Sequence, residues 1–136
     1  MLSKASRILV VDDFEVVRML LKNGLTDLGY QNIDLADDGT SALDRLQTSE
    51  AEGKPIELIF SDWNMPKLSG LELLQNCREH LNFRRIPFIM VTAESEQAQV
   101  VQALRAGAME YIVKPFSPDA LQKKIEKISK RLAGSG

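Results

Sequence analysis

The chain has 136 residues and a formal net charge of −2, with 44% hydrophobic and 26% charged residues, the balance of one globular domain large enough to bury a core. That near-neutral charge leaves no footprint for a nucleic-acid partner, and no apolar run reaches the roughly 20 residues of a membrane span. The lone Cys77 excludes an internal disulfide, and the apolar N-terminal run meets two acids rather than a cleavage site, so a cytoplasmic setting is expected.

The first apolar run, "RILVV" (7–11), is nearly continuous, as in a strand buried on both faces, and it stops at Asp12-Asp13. A helix follows, with Val17, Leu20, Leu21, Leu25 and Leu28 in one stripe and Gly29 where a C-terminal cap belongs. "IDLA" (33–36) is a second strand. "GTSALDRLQ" is a second helix with Ala42, Leu43 and Leu46 inward; "QTSEAEGKP" (47–55) is a polar loop or an extension of that helix. "IELIF" (56–60) is a third buried strand that stops at Asp62, with Pro66 breaking regular structure soon after. "GLELLQNCREHL" is a third helix, and "PFIMV" (87–91) a fourth strand stopping at Thr92. "SEQAQVVQALRAG" is a fourth helix closed by Gly107, with Val101 in the inward stripe and Val100 and Leu104 on a neighbouring row. "YIV" (111–113) runs into Lys114-Pro115. Ser117-Pro118, a cap followed by proline at the first helical position, opens a last helix with Leu121, Ile125, Ile128 and Leu132 inward. The whole chain, 1–136, reads as one domain with its core at about 7–132 and a flexible tail at 133–136.

Five strand–helix alternations predict an α/β domain with a five-stranded parallel sheet, flavodoxin-like order 2-1-3-4-5, and helices on both faces. In that order strands 1 and 3 are neighbours and the strand order reverses between them, and ligands bind outside the carboxyl ends at such a point. Asp12, Asp13 and Asp62 all end strands there. Taken alone, Asp12 and Asp13 read as caps of the first helix, Asp62 as a turn residue, Thr92 as a strand former and Lys114 as a solvated strand end. Taken together they read as chemistry. Clustered carboxylates raise one another's pKa unless a cation intervenes, and oxygen-only ligands suit Mg²⁺. With Mg²⁺ and Lys114 as positive charges and Thr92 as a hydrogen-bond donor, Asp62 is a candidate nucleophile for phosphoryl transfer.

"VVDDF", "SDWNMP", "MVTAE" and "YIVKPF", in this order and at these strand ends, resemble the receiver domain of bacterial response regulators, in particular the stand-alone chemotaxis regulators. The resemblance covers about Arg7 to Leu132 and takes in "ADDG", "GLELL" and "AGA". It implies that Asp62 is the phosphoacceptor for a histidine kinase. Asp13, Asp62 and the backbone carbonyl of Asn64 become direct Mg²⁺ ligands, with Asp12 acting through water. Thr92 and Lys114 become the switch pair, Tyr111 the aromatic that moves with Thr92, and Asn64 and Glu94 the residues that tune dephosphorylation. It also implies a cis Lys114–Pro115 bond. Val100, Leu104, Tyr111, Val113 and Lys124 form a candidate output face across the fourth helix, fifth strand and fifth helix. The expected protein is a monomer and not an enzyme beyond its own phosphorylation and dephosphorylation. Its expected partners are a kinase, a downstream protein such as a flagellar motor switch component, and a phosphatase. The loop before the third strand is longer than usual, Ser69 stands where an acid is common, and "ESEQAQ" is acidic or neutral where chemotaxis regulators are basic.

Other readings compete. A phosphorelay intermediate or phosphate sink would use the same chemistry with a different partner. A phosphohydrolase of the haloacid-dehalogenase kind needs a second Asp where Asn64 stands. A nucleotide-binding domain needs a glycine-rich phosphate loop that is missing here. Cys77 and His80 lack metal-ligand spacing. Met19, Met65, Met90 and Met109 read as packing residues, and Trp63 as a partly exposed lid.

Overall fold

The computed structural model describes residues 2–93 and 97–134. Strands and helices alternate along the chain: β1 (Arg7–Val11), α1 (Glu15–Asp27), β2 (Asn32–Ala36), α2 (Gly39–Ala51), β3 (Leu58–Asp62), α3 (Gly70–Glu79), β4 (Phe88–Ala93), α4 (Gln97–Ala106), β5 (Glu110–Lys114) and α5 (Pro118–Gly134). The five strands are parallel and ordered β2-β1-β3-β4-β5, the order expected from the sequence.

Side chains alternate across the central strands and feed two cores. Leu9, Val11, Ile59, Phe88 and Met90 face Ala42 and Leu46 of α2, Leu73, Leu74 and Cys77 of α3, and Ala103 of α4. Ile8, Val10, Leu58, Phe60, Ile89 and Val91 face Leu21 and Leu25 of α1 and Leu121, Ile125 and Ile128 of α5. Each fully buried Leu, Ile or Phe contributes about 1.5–3 kcal/mol. This burial on both faces is why β1, β3 and β4 read as unbroken apolar runs. The two outer helices approach closely at Gly24, where an added Cβ would lie 2.8 Å from Leu121 Cδ2.

Several boundaries differ from the sequence reading. β3 begins at Leu58, two residues late, because Ile56 is buried in the approach to the strand rather than paired in it. The 47–55 segment resolves as helix through Ala51, followed by a turn at Gly53 with φ +75°. α5 runs through Ala133 and Gly134, so the first half of the expected tail is helical. In α1, Leu20 is 57% exposed and Met19 37% exposed, so the buried stripe narrows to Leu21 and Leu25 with Val17 and Leu28 half-buried. In α4, Val101 is 49% exposed rather than inward; the small Ala103 faces the sheet because α4 also packs against α3. Met90 is buried and Met65 and Met109 are packed against the cores as expected. Gly29 and Gly107 close their helices with φ of +100° and +112°.

Candidate functional site

Sheet register brings the acids together. Val11 of β1 is level with Ser61 of β3, so the next residues along, Asp12 and Asp62, emerge side by side at the carboxyl edge. Asp12 is fully buried, Asp62 is buried, and Asp13 is exposed. One carboxylate oxygen from each of the three lies within 4.8 Å of the others. Lys114, at the end of β5, reaches across β4 to them. Its Nζ lies 3.2 Å from Asp12 Oδ2 and 3.2 Å from Asp62 Oδ1. The Lys114–Pro115 peptide is cis.

Backbone donors fix the two inner carboxylates. The Phe14 N–H donates to Asp12 Oδ1 at 2.9 Å, and the Trp63 N–H donates to Asp62 Oδ1 at 2.8 Å. The Phe14 contact stands in place of a helix cap from Asp12 or Asp13: α1 begins after Phe14, and no side chain caps it. Burial pushes the Asp62 carboxyl above its ordinary range, and the charge of Asp12 pushes the same way; Lys114 and the Trp63 N–H only partly oppose them. The site is therefore short of positive charge, and three carboxylates with oxygen-only donors suit a hard divalent cation.

The loop after Asp62 is held by glycines. At Gly70 an added Cβ would lie 2.1 Å from the Asp62 carbonyl oxygen, and the Gly70 N–H donates to the Trp63 carbonyl at 2.8 Å. At Gly39 a Cβ would lie 2.6 Å from the Leu68 carbonyl oxygen. Lys67 adopts φ +68° and pairs with Asp38 at 3.6 Å. Asp38 also caps α2 through the Ser41 N–H, and that bond holds its carboxyl below the usual range despite burial. Ser69 and Glu72 form a capping box on α3.

The other candidates fall in distinct places. Thr92 is 1% exposed, and its hydroxyl donates to the Ala93 carbonyl at 3.4 Å rather than to an acid. Asn64 is exposed and Trp63 half-buried beside Asp62. Glu94 lies outside the described residues. Val100, Tyr111 and Val113 line a groove of about 540 Å³ with Ala93, Gln97 and Val101, and Leu104 is exposed one turn along α4. Lys124 turns inward. Its ammonium lies 2.9 Å from Glu110 Oε1 and 4.3 Å from the Tyr111 ring centroid, so it braces that ring instead of standing free on the surface. His80 stacks on Phe83 at 4.0 Å, and burial pushes the Cys77 thiol up to about 11, leaving it inert.

Sequence reasoning passed over Arg18, whose Nη1 donates to the Asp12 carbonyl at 2.6 Å, and Arg78, whose guanidinium holds the carbonyls of Arg84, Ile86 and Gly107. Arg78 has no carboxylate three or four residues away to betray it, and the one at that spacing from Arg18, Glu15, points to a surface pair rather than to the Asp12 carbonyl. The Ser69-x-x-Glu72 box, by contrast, was there to be read.

The response regulator receiver domain pattern matches residues 8–126. The chain is 41% identical over 131 residues to chemotaxis protein CheY-3 of Vibrio cholerae, covering 96% of this chain and 97% of that one. It is 42% identical over 128 residues to chemotaxis protein CheY of Pseudomonas aeruginosa, covering 94% and 99%. Among solved structures, a CheX–CheY–BeF₃–Mg²⁺ complex from Borrelia burgdorferi superposes with a TM-score of 0.81 at 27% identity, covering 90% of this chain and 88% of that one. No described helix is long and apolar enough to cross a membrane. A parallel 2-1-3-4-5 sheet with acids at its reversal point, and this likeness along nearly the whole chain, make the protein a member of the receiver-domain family, of the CheY type that serves two-component signalling.

Proposed function

We propose that this protein accepts a phosphoryl group on Asp62 from the phosphohistidine of a kinase and uses it to change its affinity for a downstream protein. The observation that carries this reading is the contact of one lysine with two buried carboxylates at the sheet's reversal point. Asp62 is the better nucleophile of the two, because Asp12 is fully enclosed while Asp62 retains an exposed edge. An Asp62 carboxylate oxygen forms the new P–O bond as the P–N bond breaks, and the histidine nitrogen keeps the electron pair. Lys114, 3.2 Å from Asp62, moves little to meet the equatorial phosphoryl oxygens. Asp13, Asp62 and the Asn64 backbone carbonyl would hold Mg²⁺, with Asp12 behind them. Bound there, Mg²⁺ supplies the positive charge that lets the carboxylates and the phosphoryl oxygens share one site. Asn64 and Glu94 set the lifetime of the acyl phosphate, and the protein catalyses no other reaction.

The switch starts at Thr92. Its hydroxyl leaves the Ala93 carbonyl to donate to the phosphoryl group, and the end of β4 follows. Tyr111, already lining the groove beside Ala93, then repacks, and the face formed by Val100, Leu104, Tyr111 and Val113 changes shape. A tenfold change in partner affinity needs about 1.4 kcal/mol of coupling. The likeness to chemotaxis proteins supports a flagellar motor component as that partner, and the CheX–CheY relative supports a second partner that acts on the phosphorylated form. The test is intact mass after treatment with a small phosphodonor, with Mg²⁺ or with chelator. A Mg²⁺-dependent phosphoryl adduct is expected in the wild type and no adduct in Asp62→Asn. An adduct of equal yield in the mutant removes Asp62 from the role.

A further inference from the structure

The Asp12–Asp13 peptide is where the chain leaves β1 and turns outward, and its position decides where the Asp13 carboxylate points. Besides the Lys114 ion pair on its side chain, Asp12 is held by three contacts. The Asp12 N–H donates to the Ala36 carbonyl at 3.1 Å, continuing the pairing with β2. The Asp12 side chain accepts from the Phe14 N–H. The Asp12 carbonyl accepts from Arg18 Nη1 at 2.6 Å. The carbonyl is the group attached directly to the Asp13 nitrogen, so this last bond sets the rotation of the peptide that carries Asp13.

Arg18 is placed against two ordinary preferences. It is the fourth residue of α1, closing the first turn at the positive end of the helix dipole, where a cation is unfavourable. It is half-buried yet has no ion pair among the described residues, although Asp37 and Asp44 line the same surface groove. The guanidinium spends its closest contact on a main-chain oxygen instead. α1 has no side-chain cap, so the same bond also ties the helix start to the end of β1.

We infer that Arg18 is a positioning residue for the metal site: by holding the Asp12 carbonyl it aims the Asp13 carboxylate at the cation. This rests on the proposed Mg²⁺ site. The inference has a distinctive sign. By charge alone, a guanidinium beside a cation site repels Mg²⁺, so removing it would tighten binding. As a positioning residue, its removal weakens binding, and partners that orient a ligand typically account for 10–100-fold in metal affinity.

The experiment titrates Mg²⁺ alone, by calorimetry, into wild type, Arg18→Met and Arg18→Gln. Methionine keeps the stem's packing without the donors; glutamine keeps a shorter neutral donor. Wild type is expected to bind, and both variants to bind at least tenfold more weakly. With a small phosphodonor, the variants' phosphorylation rate is expected to recover to within about twofold of wild type at saturating Mg²⁺. A Kd unchanged or lowered in both variants overturns the inference, as does a rate deficit that persists at saturating Mg²⁺ with a raised KM for the phosphodonor, which would put the guanidinium on the donor. Absence of Mg²⁺ binding in the wild type would instead overturn the metal site itself. Reading two variants keeps the comparison intact if one of them folds poorly.

Discussion

Replacing Asp13 by asparagine should make the metal-free protein more stable while taking away its response to Mg²⁺. Asp13 makes no hydrogen bond or ion pair among the described residues, so its carboxylate contributes repulsion without a local partner. At the 4.8 Å that bounds the cluster, a pair of like charges repels by about 0.9 kcal/mol in water and about 3.5 kcal/mol at an effective dielectric of 20. Asp13 is exposed, so the smaller figure governs for each of its two carboxylate neighbours, Asp12 and Asp62, and Lys114 offsets part of the sum. The net gain on neutralising Asp13 is about 1 kcal/mol, or roughly 3–5 °C in Tm for a domain of this size. In the wild type, Mg²⁺ at a hundred times its Kd should add about 2.7 kcal/mol. Thermal unfolding in chelator and in Mg²⁺ checks both halves. A mutant less stable than wild type in chelator would refute the electrostatic reasoning. A mutant that keeps the full Mg²⁺-induced rise would remove Asp13 from the metal site.

Gly70→Ala should destabilise the fold by at least about 1–3 kcal/mol and slow phosphorylation, because its Cβ would meet the Asp62 carbonyl at 2.1 Å; denaturant unfolding with an unchanged midpoint would contradict this. Burial works against the Glu110 charge, but the Lys124 hydrogen bond and the Tyr111 N–H, with the charges of Lys124 and Lys127, outweigh it and hold the carboxyl below its ordinary value of 4.5. A depressed carboxylate contributes stability that is present above pH 4.5 and lost as pH falls through the folded value. Lys124→Met should flatten that acid limb of the stability curve and free the Tyr111 ring, seen as faster ring motion by NMR; an unchanged limb would mean the pair contributes nothing. Val100→Asp and Leu104→Asp should leave phosphorylation intact and weaken binding to a candidate motor-switch peptide at least tenfold, and unaffected binding would move the output face elsewhere.

The parallel sheet could be read from the sequence because its central strands are buried on both faces, which forces unbroken runs such as "RILVV" and "PFIMV". The grouping of Asp12, Asp13 and Asp62 followed from strand order, since they follow the ends of the two strands beside the reversal point, whereas Lys114 ends the edge strand β5 and joins them only by reaching across β4. Helix faces were harder. Val101 has the apolarity of a core residue, yet α4 packs through the smaller Ala103 because it must fit against both the sheet and α3. Lys124 looks like a surface lysine until its position opposite Glu110, 14 residues away on β5, is known. Arg18 and Arg78 bind main-chain carbonyls, and a carbonyl leaves no trace in residue identity. Gly70 shows the same limit: the letter is visible, but the Asp62 oxygen that excludes a Cβ is not.

The most direct test of the central claim locates the phosphoryl group chemically. The protein is treated with a small phosphodonor and Mg²⁺, the acyl phosphate is reduced with labelled borohydride, and the peptides are mapped. Label at residue 62, and its loss when Mg²⁺ is chelated, is the predicted result. Label at Asp12 or Asp13, or a Mg²⁺-dependent adduct on no carboxylate at all, would contradict the assignment of Asp62 as the phosphoacceptor.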